Sequence, residues 1–182
     1  MAIMAKLILI LVSSLIVMSC GRNRCASIQN TYFIGDTSVN QFVLRDTSSF
    51  VNIEKLPDMI DDPNFGEFIG FSNASSSEFL LLVRENGGLH NQYNYFCLTD
   101  SVLPEYKPKI VILEDSVFYT TLGVHIGSSE TEFSEKYKEM TFSVSNSANK
   151  KTYEFQDITN LYRSVYIFDK GYLKHIEFGY TW

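Results

Sequence analysis

Val165-Tyr166-Ile167-Phe168-Asp169-Lys170-Gly171-Tyr172-Leu173 is the stretch that decides the fold class. An apolar and aromatic run meets Asp-Lys-Gly, and a second such run continues to Ile176 and Phe178. Gly171 supplies the positive φ that a tight turn between right-twisted strands demands, so the segment predicts an antiparallel hairpin of strands 164–168 and 172–178. Leu80-Leu81-Leu82-Val83, Asn86-Gly87-Gly88 and the run from Leu89 repeat the pattern. With 14 Phe, 11 Tyr and many Val and Ile separated by Ser, Asn, Asp and Gly, the rest of the chain suits pleated, half-buried surfaces. Further strands are predicted at 31–34, 41–45, 67–71, 78–83, 89–98, 109–113, 117–120, 141–144 and 152–155.

Helical periodicity is scarce. Ser129-Glu130-Thr131-Glu132 has the spacing of a capping box, and Phe133, Tyr137 and Met140 then share one face, which predicts a single main helix over about 129–140. A weaker helical turn is expected through Pro57-Asp58-Met59-Ile60-Asp61, with Pro57 in the first helical position. The expected class is therefore α+β: a β-rich antiparallel sheet or sheets packed with one principal helix.

The N-terminus carries a different signal. Lys6 precedes the apolar run Leu7 to Met18, interrupted by Ser13-Ser14 and followed by Ser19-Cys20. One positive charge, about a dozen apolar residues and a small residue before the cut describe a secretory signal too short to span a bilayer. Val17-Met18-Ser19-Cys20 resembles the lipobox of bacterial lipoproteins, which implies that residues 1–19 are removed and Cys20 becomes the lipidated N-terminus. An ordinary signal peptide that leaves Cys20 a free thiol, or an uncleaved anchor, are the alternatives. Residues 20–29, with the basic Arg22 and Arg24, read as a tether, and 30–182 as one β-rich domain divisible into a β-rich half, 30–108, and an α+β module, 109–182. Several acyl chains give stable anchoring, so the membrane is the expected partner of the lipid and the bacterial cell envelope, outer membrane in particular, the expected address.

Removing residues 1–19 leaves 182 − 19 = 163 residues and takes Lys6, so the 15 Lys and Arg become 14 against 21 Asp and Glu, a net charge of 14 − 21 = −7. No basic stripe exists to replace phosphate counterions, which excludes nucleic acid from the expected partners. Once Cys20 is acylated, Cys25 and Cys97 remain. In an oxidising compartment the two can pair, or Cys97 can serve as a small buried hydrophobe.

Thr120-Thr121-Leu122-Gly123-Val124-His125-Ile126-Gly127, the Ser129-capped helix, Ile167-Phe168-Asp169-Lys170-Gly171 and Leu173-Lys174-His175-Ile176 together look like a small lipoprotein module. In it a Gly-aliphatic-x-aliphatic-Gly strand end introduces a helix and an antiparallel hairpin closes the domain. The C-terminal third is in this respect similar to the SmpA/OmlA (BamE-like) outer-membrane lipoproteins and to β-lactamase-inhibitor-protein-like folds. That resemblance implies scaffolding or protein binding and transfers no catalytic residue. Val124 and Ile126 are expected to point together into the core.

Chemical motifs are sparse. His90, His125 and His175 lack metal-ligand spacing, and the acidic loop of Glu54, Asp58, Asp61 and Asp62 lacks the alternation and central glycine of a calcium loop, so neither a metal nor another cofactor is expected. Glu114, Asp115, Glu154 and Asp157 would need long-range convergence to act as a hydrolytic carboxylate pair. Asn91, Gln92, Tyr93 and Tyr95 are the expected contact surface, because amides and tyrosine hydroxyls make adaptable contacts. The function expected is that of a lipid-anchored, non-catalytic interaction or scaffolding protein with an envelope protein as partner. An envelope hydrolase, or a protein binding a small ligand or glycan, is the alternative class.

Overall fold

Strand alternation and turn chemistry build one large sheet. The computed structural model of the chain describes residues 35–63, 66–84, 92–159 and 161–180. In chain order the strands are β1 (Ser38–Val39), β2 (Phe42–Val43), β3 (Ile60–Asp62), β4 (Gly66–Ser72), β5 (Phe79–Arg84), β6 (Tyr95–Thr99), β7 (Val111–Ile112), β8 (Ser143–Ser147), β9 (Lys150–Gln156), β10 (Tyr162–Asp169) and β11 (Tyr172–Tyr180). β1 and β2 pair with each other. The remaining nine form a sheet in the order β3-β4-β5-β6-β11-β10-β9-β8, with β7 parallel beside β4 and the other pairings antiparallel. Among the described residues there is one helix, α1 (Glu130–Lys136), with 3-10 turns at Thr47–Phe50 and Lys107–Lys109. No helix among them is long and apolar enough to cross a membrane.

The deciding hairpin forms as expected. Asp169 faces Tyr172 across a two-residue loop in which Lys170 has φ 52° and Gly171 φ 80°, the two positive angles of the favoured hairpin turn. The turn at Asn86-Gly87-Gly88 lies outside the described residues, as do the expected strand at 31–34 and residues 89–91, but β5 and β6 on either side pair antiparallel.

Alternation divides the side chains between two faces. Leu80 and Leu82 of β5, Phe96 and Leu98 of β6, Tyr162, Tyr166 and Phe168 of β10 and Ile176 and Phe178 of β11 enter the main core. Leu81, Val83 and Cys97 point the other way and join Ile60 and Phe68 in a smaller cluster against Val102 and Tyr106. A bulge shifts the parity of β11: Ile167 faces His175 while Phe168 faces Leu173, leaving Lys174 as the extra residue. Leu173 and Ile176 therefore both enter the core, and His175 and Glu177 are delivered to the face of Cys97.

α1 covers the main core. Ser129 Oγ accepts from the Glu132 amide at 3.2 Å, which satisfies one of the free donors of the first turn. Phe133 then packs its ring against Tyr137, Tyr153, Tyr166 and Phe168 at centroid distances of 4.5 to 5.2 Å. The helix ends at Lys136 rather than near 140, because Tyr137 turns out of helical geometry and the chain doubles back to bring Phe142 within 5.4 Å of the Phe133 ring. Ser129→Ala is expected to cost about 1 kcal/mol, the usual worth of such a cap. Urea unfolding measures it, and an unchanged midpoint would mean that water replaces the cap.

Several elements differ from expectation. Residues 57–61 form no helical turn. Ile60 and Asp62 are buried and Asp61 exposed, and Ile60 pairs with Phe68, because one isolated turn offers little against a full set of ladder bonds. The segment 117–120 contributes only a single bridge, Val39 to Thr120. Strands 41–45 and 109–113 shrink to β2 and β7, 89–98 is strand only from Tyr95 onward among its described residues, and 141–144 shifts to β8. Val124 is fully buried and Ile126 packs against the same core, as the Gly-flanked motif requires.

Candidate functional site

Two polar clusters form where the sheet brings distant residues together. The first lies on the smaller face. Glu177 of β11 sits directly across from Cys97 of β6, and His175 shares their face two residues away. Cys97 Sγ lies 3.9 Å from His175 Nε2, which is 2.6 Å from Glu177 Oε1. Tyr95, also on β6, donates its hydroxyl to Glu177 Oε2 at 2.8 Å. Sulfur, nitrogen and oxygen all lie within 4.8 Å of one another. Cys97 is 1% exposed, whereas the side chains of His175 and Glu177 retain 22% and 21%.

The electrostatics follow from that burial. Burial, and then the charge of Glu177, push the Cys97 thiol well up. Burial also pushes Glu177 up, but hydrogen bonding to His175, its charge and the Tyr95 hydroxyl outweigh burial and hold the carboxylate below its usual range. Burial and Glu177 push the Tyr95 hydroxyl up, so it stays a donor.

This is not a nucleophile set. A thiol–imidazole–acid relay needs the thiol and the carboxylate on opposite ring nitrogens, whereas Cys97 and Glu177 both face Nε2. A reactive cysteine also needs a lowered pKa, and that of Cys97 moves the other way. What the three atoms can do is converge on a cation. His175 also stands between two hollows: one of about 290 Å³ bordered by Asp62, Thr99 and Tyr106, the other of about 480 Å³ bordered by Asp100, Lys150 and Lys174.

The second cluster lies inside the main core. Asp36 is fully buried. Its Oδ2 accepts from the hydroxyls of Tyr137 and Tyr166, the latter at 2.8 Å, and its Oδ1 from the Leu122 amide at 3.0 Å. Its backbone carbonyl accepts from the Tyr162 hydroxyl at 2.8 Å. Burial pushes the Asp36 carboxyl up, and these bonds pull it back only partly. The cluster pins the beginning of the described chain to Tyr137, just past the end of α1, and to β10.

The residues singled out from the sequence are placed as follows. Cys20 and Cys25 lie outside the described residues, and Cys97 carries a free thiol. Tyr93 does not belong to an exposed contact surface: it is 3% exposed, its carbonyl takes the Arg45 amide at 2.8 Å, and its ring packs on Phe50. That segment leaves the strand and tucks beneath the turn at Thr47–Phe50. Gln92 is half-buried and donates to the Arg45 carbonyl, Tyr95 is engaged with Glu177, and Asn91 lies outside the described residues. His90 lies outside them too, while His125 Nδ1 contacts the Ile126 carbonyl at 2.7 Å. Of the four carboxylates named from the sequence, Asp115 accepts from Asn40, Glu154 from Arg163, and Asp157 from Thr159 and the Leu161 and Tyr162 amides. Of the acidic loop, Asp62 accepts from the Tyr106 hydroxyl. Asp36 has no local signature, because its partners lie 86 to 130 positions away.

In comparisons with known proteins the chain matches no protein-family model, no curated protein and no solved structure.

Proposed function

We propose that this chain is a lipid-anchored protein of the bacterial cell envelope, held through Cys20, that acts without catalysis by binding an envelope protein along the edge of its sheet. The lipobox-like Val17-Met18-Ser19-Cys20 supports the anchor. The likeness of the C-terminal third to BamE-like lipoproteins supports an interaction role and an outer-membrane address. Anchoring raises the effective concentration of the domain near a partner in the same membrane, so a modest contact suffices.

The observation that carries the reading is the contrast between the two ends of the sheet. β8, Ser143-Val144-Ser145-Asn146-Ser147, is exposed throughout, contains no charge or proline, and has β9 on one side only among the described residues. At the other end β3 is three residues long, carries Asp61 and Asp62 and runs into Pro63, devices that blunt an edge against pairing. A five-residue open edge can accept an extended segment of a partner as an added strand.

A photoreactive residue at Ser145, compared in living cells with one at Asp61, tests this. The expected result is a discrete adduct with one envelope protein at Ser145, absent at Asp61 and lost with Cys20→Ala. Equal labelling at both edges, or none above background, would overturn it. The hollow of about 480 Å³ beside Lys150 and Lys174 favours a second reading, small-ligand or glycan binding, for which binding screens with the purified chain are the corresponding test.

A further inference from the structure

We propose that Cys97, His175 and Glu177 form a binding site for a thiophilic divalent cation, with Zn2+ the best fit. The donor set points there first: thiolate sulfur, imidazole nitrogen and carboxylate oxygen are the ligands zinc takes, whereas magnesium and calcium take oxygen alone. Charge agrees, because a thiolate, a neutral imidazole and a carboxylate cancel a dication, which favours burial at a site whose sulfur has almost no access to water.

Geometry agrees as well. Zinc–ligand bonds of about 2.0 to 2.3 Å at tetrahedral angles separate ligand atoms by about 3.4 to 3.6 Å. Here sulfur and nitrogen are 3.9 Å apart and all three atoms lie within 4.8 Å, while nitrogen and oxygen, at 2.6 Å, would open by about 0.8 Å. Side-chain rotation covers such shifts. The backbone positions are set by two paired strands, with Glu177 opposite Cys97, so the site stands on a rigid element.

Two further features fit a metal. Tyr95 holds the second oxygen of Glu177 and leaves Oε1 toward the site, the outer partner that orients a ligating carboxylate. The hollow of about 290 Å³, bordered by Cys97, His175 and Thr99, leaves room for a fourth ligand such as water. Binding replaces the thiol S–H bond by an S–Zn bond and releases that proton. The proton shared by His175 Nε2 and Glu177 Oε1 leaves that position as well, to the imidazole Nδ1 or to water, so that both atoms can face the metal.

The test uses the tag-free full chain titrated with Zn2+ and, as a spectroscopic stand-in, with Co2+. The expected result is one Zn2+ per chain and a thiolate-to-cobalt charge-transfer absorption at one equivalent. Cys97→Ala and His175→Ala should abolish both, with circular dichroism showing that the variants remain folded. Tyr95→Phe should weaken binding about 10- to 100-fold, and His125→Ala should leave it unchanged. Absence of the band in folded wild-type chain would overturn the site and leave an ordinary His–Glu pair beside a buried thiol. Survival of the band in Cys97→Ala would assign the metal to Cys20 or Cys25 and overturn it equally. Because His175 is partly exposed, His175→Ala keeps the test decisive even where Cys97→Ala fails to fold.

Discussion

Asp36→Ala is expected to destabilise the fold by about 3 kcal/mol, read as a lower urea midpoint with an unchanged slope. The truncation removes the acceptor of three buried donors at once: the Tyr137 and Tyr166 hydroxyls and the Leu122 amide. Each orphaned buried donor costs about 1 to 3 kcal/mol, partly offset because a costly buried carboxyl disappears as well. Asp36→Asn keeps an accepting oxygen and should cost about 1 kcal/mol. If alanine were no worse than asparagine, water would be entering the cluster and the clamp would not hold the beginning of the described chain.

The same group carries a pH signature. Its folded pKa lies above the ordinary aspartate value of 3.8, mainly through burial, so the folded state binds the proton more tightly than the unfolded chain. The stabilising contribution is thus fully present below that ordinary value and is lost as pH rises through the folded pKa. The stability of the wild type relative to Asp36→Asn should fall as pH climbs from below 4 and then level off. A difference that instead rises with pH would mean the carboxylate is held charged, with the phenols and the Leu122 amide outweighing burial.

Gly179→Ala is expected to be the more severe change, about 4 kcal/mol or more and perceptible as a loss of folded yield. Gly179 has φ +153°, and a methyl group there would stand 2.2 Å from the Asn94 carbonyl oxygen and 2.6 Å from the Tyr95 Cα. Both are backbone atoms, so no side chain can rotate away. The strands approach this closely because Tyr180 donates its amide to Asn94 O at 2.8 Å and Asn94 Nδ2 donates to Tyr180 O at 3.0 Å. Relief requires parting β11 from β6, the pair that also carries Cys97, His175 and Glu177. Gly171→Ala is the control: its φ is +80° with nothing within 4 Å, so only backbone strain of about 1 to 2 kcal/mol applies. Equal effects at the two glycines would refute the close-approach argument.

Much of the sheet was readable locally. Residues 67–71, 78–83, 152–155, 164–168 and 172–178 each lie within or nearly within an observed strand, because period-two alternation and Gly-containing turns are properties of neighbouring residues. Ser129 announced the helix start for the same reason: a cap is a contact across three residues. The helix end was not readable, since aromatic packing of Tyr137 and Phe142 against Phe133 overrides the continuing apolar face. The burial of Tyr93 is not legible locally: its polar neighbours suggest exposure, whereas a bond to Arg45 and the Phe50 ring draw it inward.

The sequence by itself determined a β-rich antiparallel fold with one capped helix, the turn at Lys170-Gly171, and the lipobox-like tetrad on which the proposed anchor rests. The tertiary structure alone decided the rest. A single extra residue in β11 turned His175 and Glu177 toward Cys97, 78 and 80 positions away, and Asp36 found its phenols 101 and 130 positions along the chain. A bulge depends on the register of two paired strands, and a buried polar cluster on which faces the folded sheet brings together. Neither leaves a mark in the residues on either side of the position concerned.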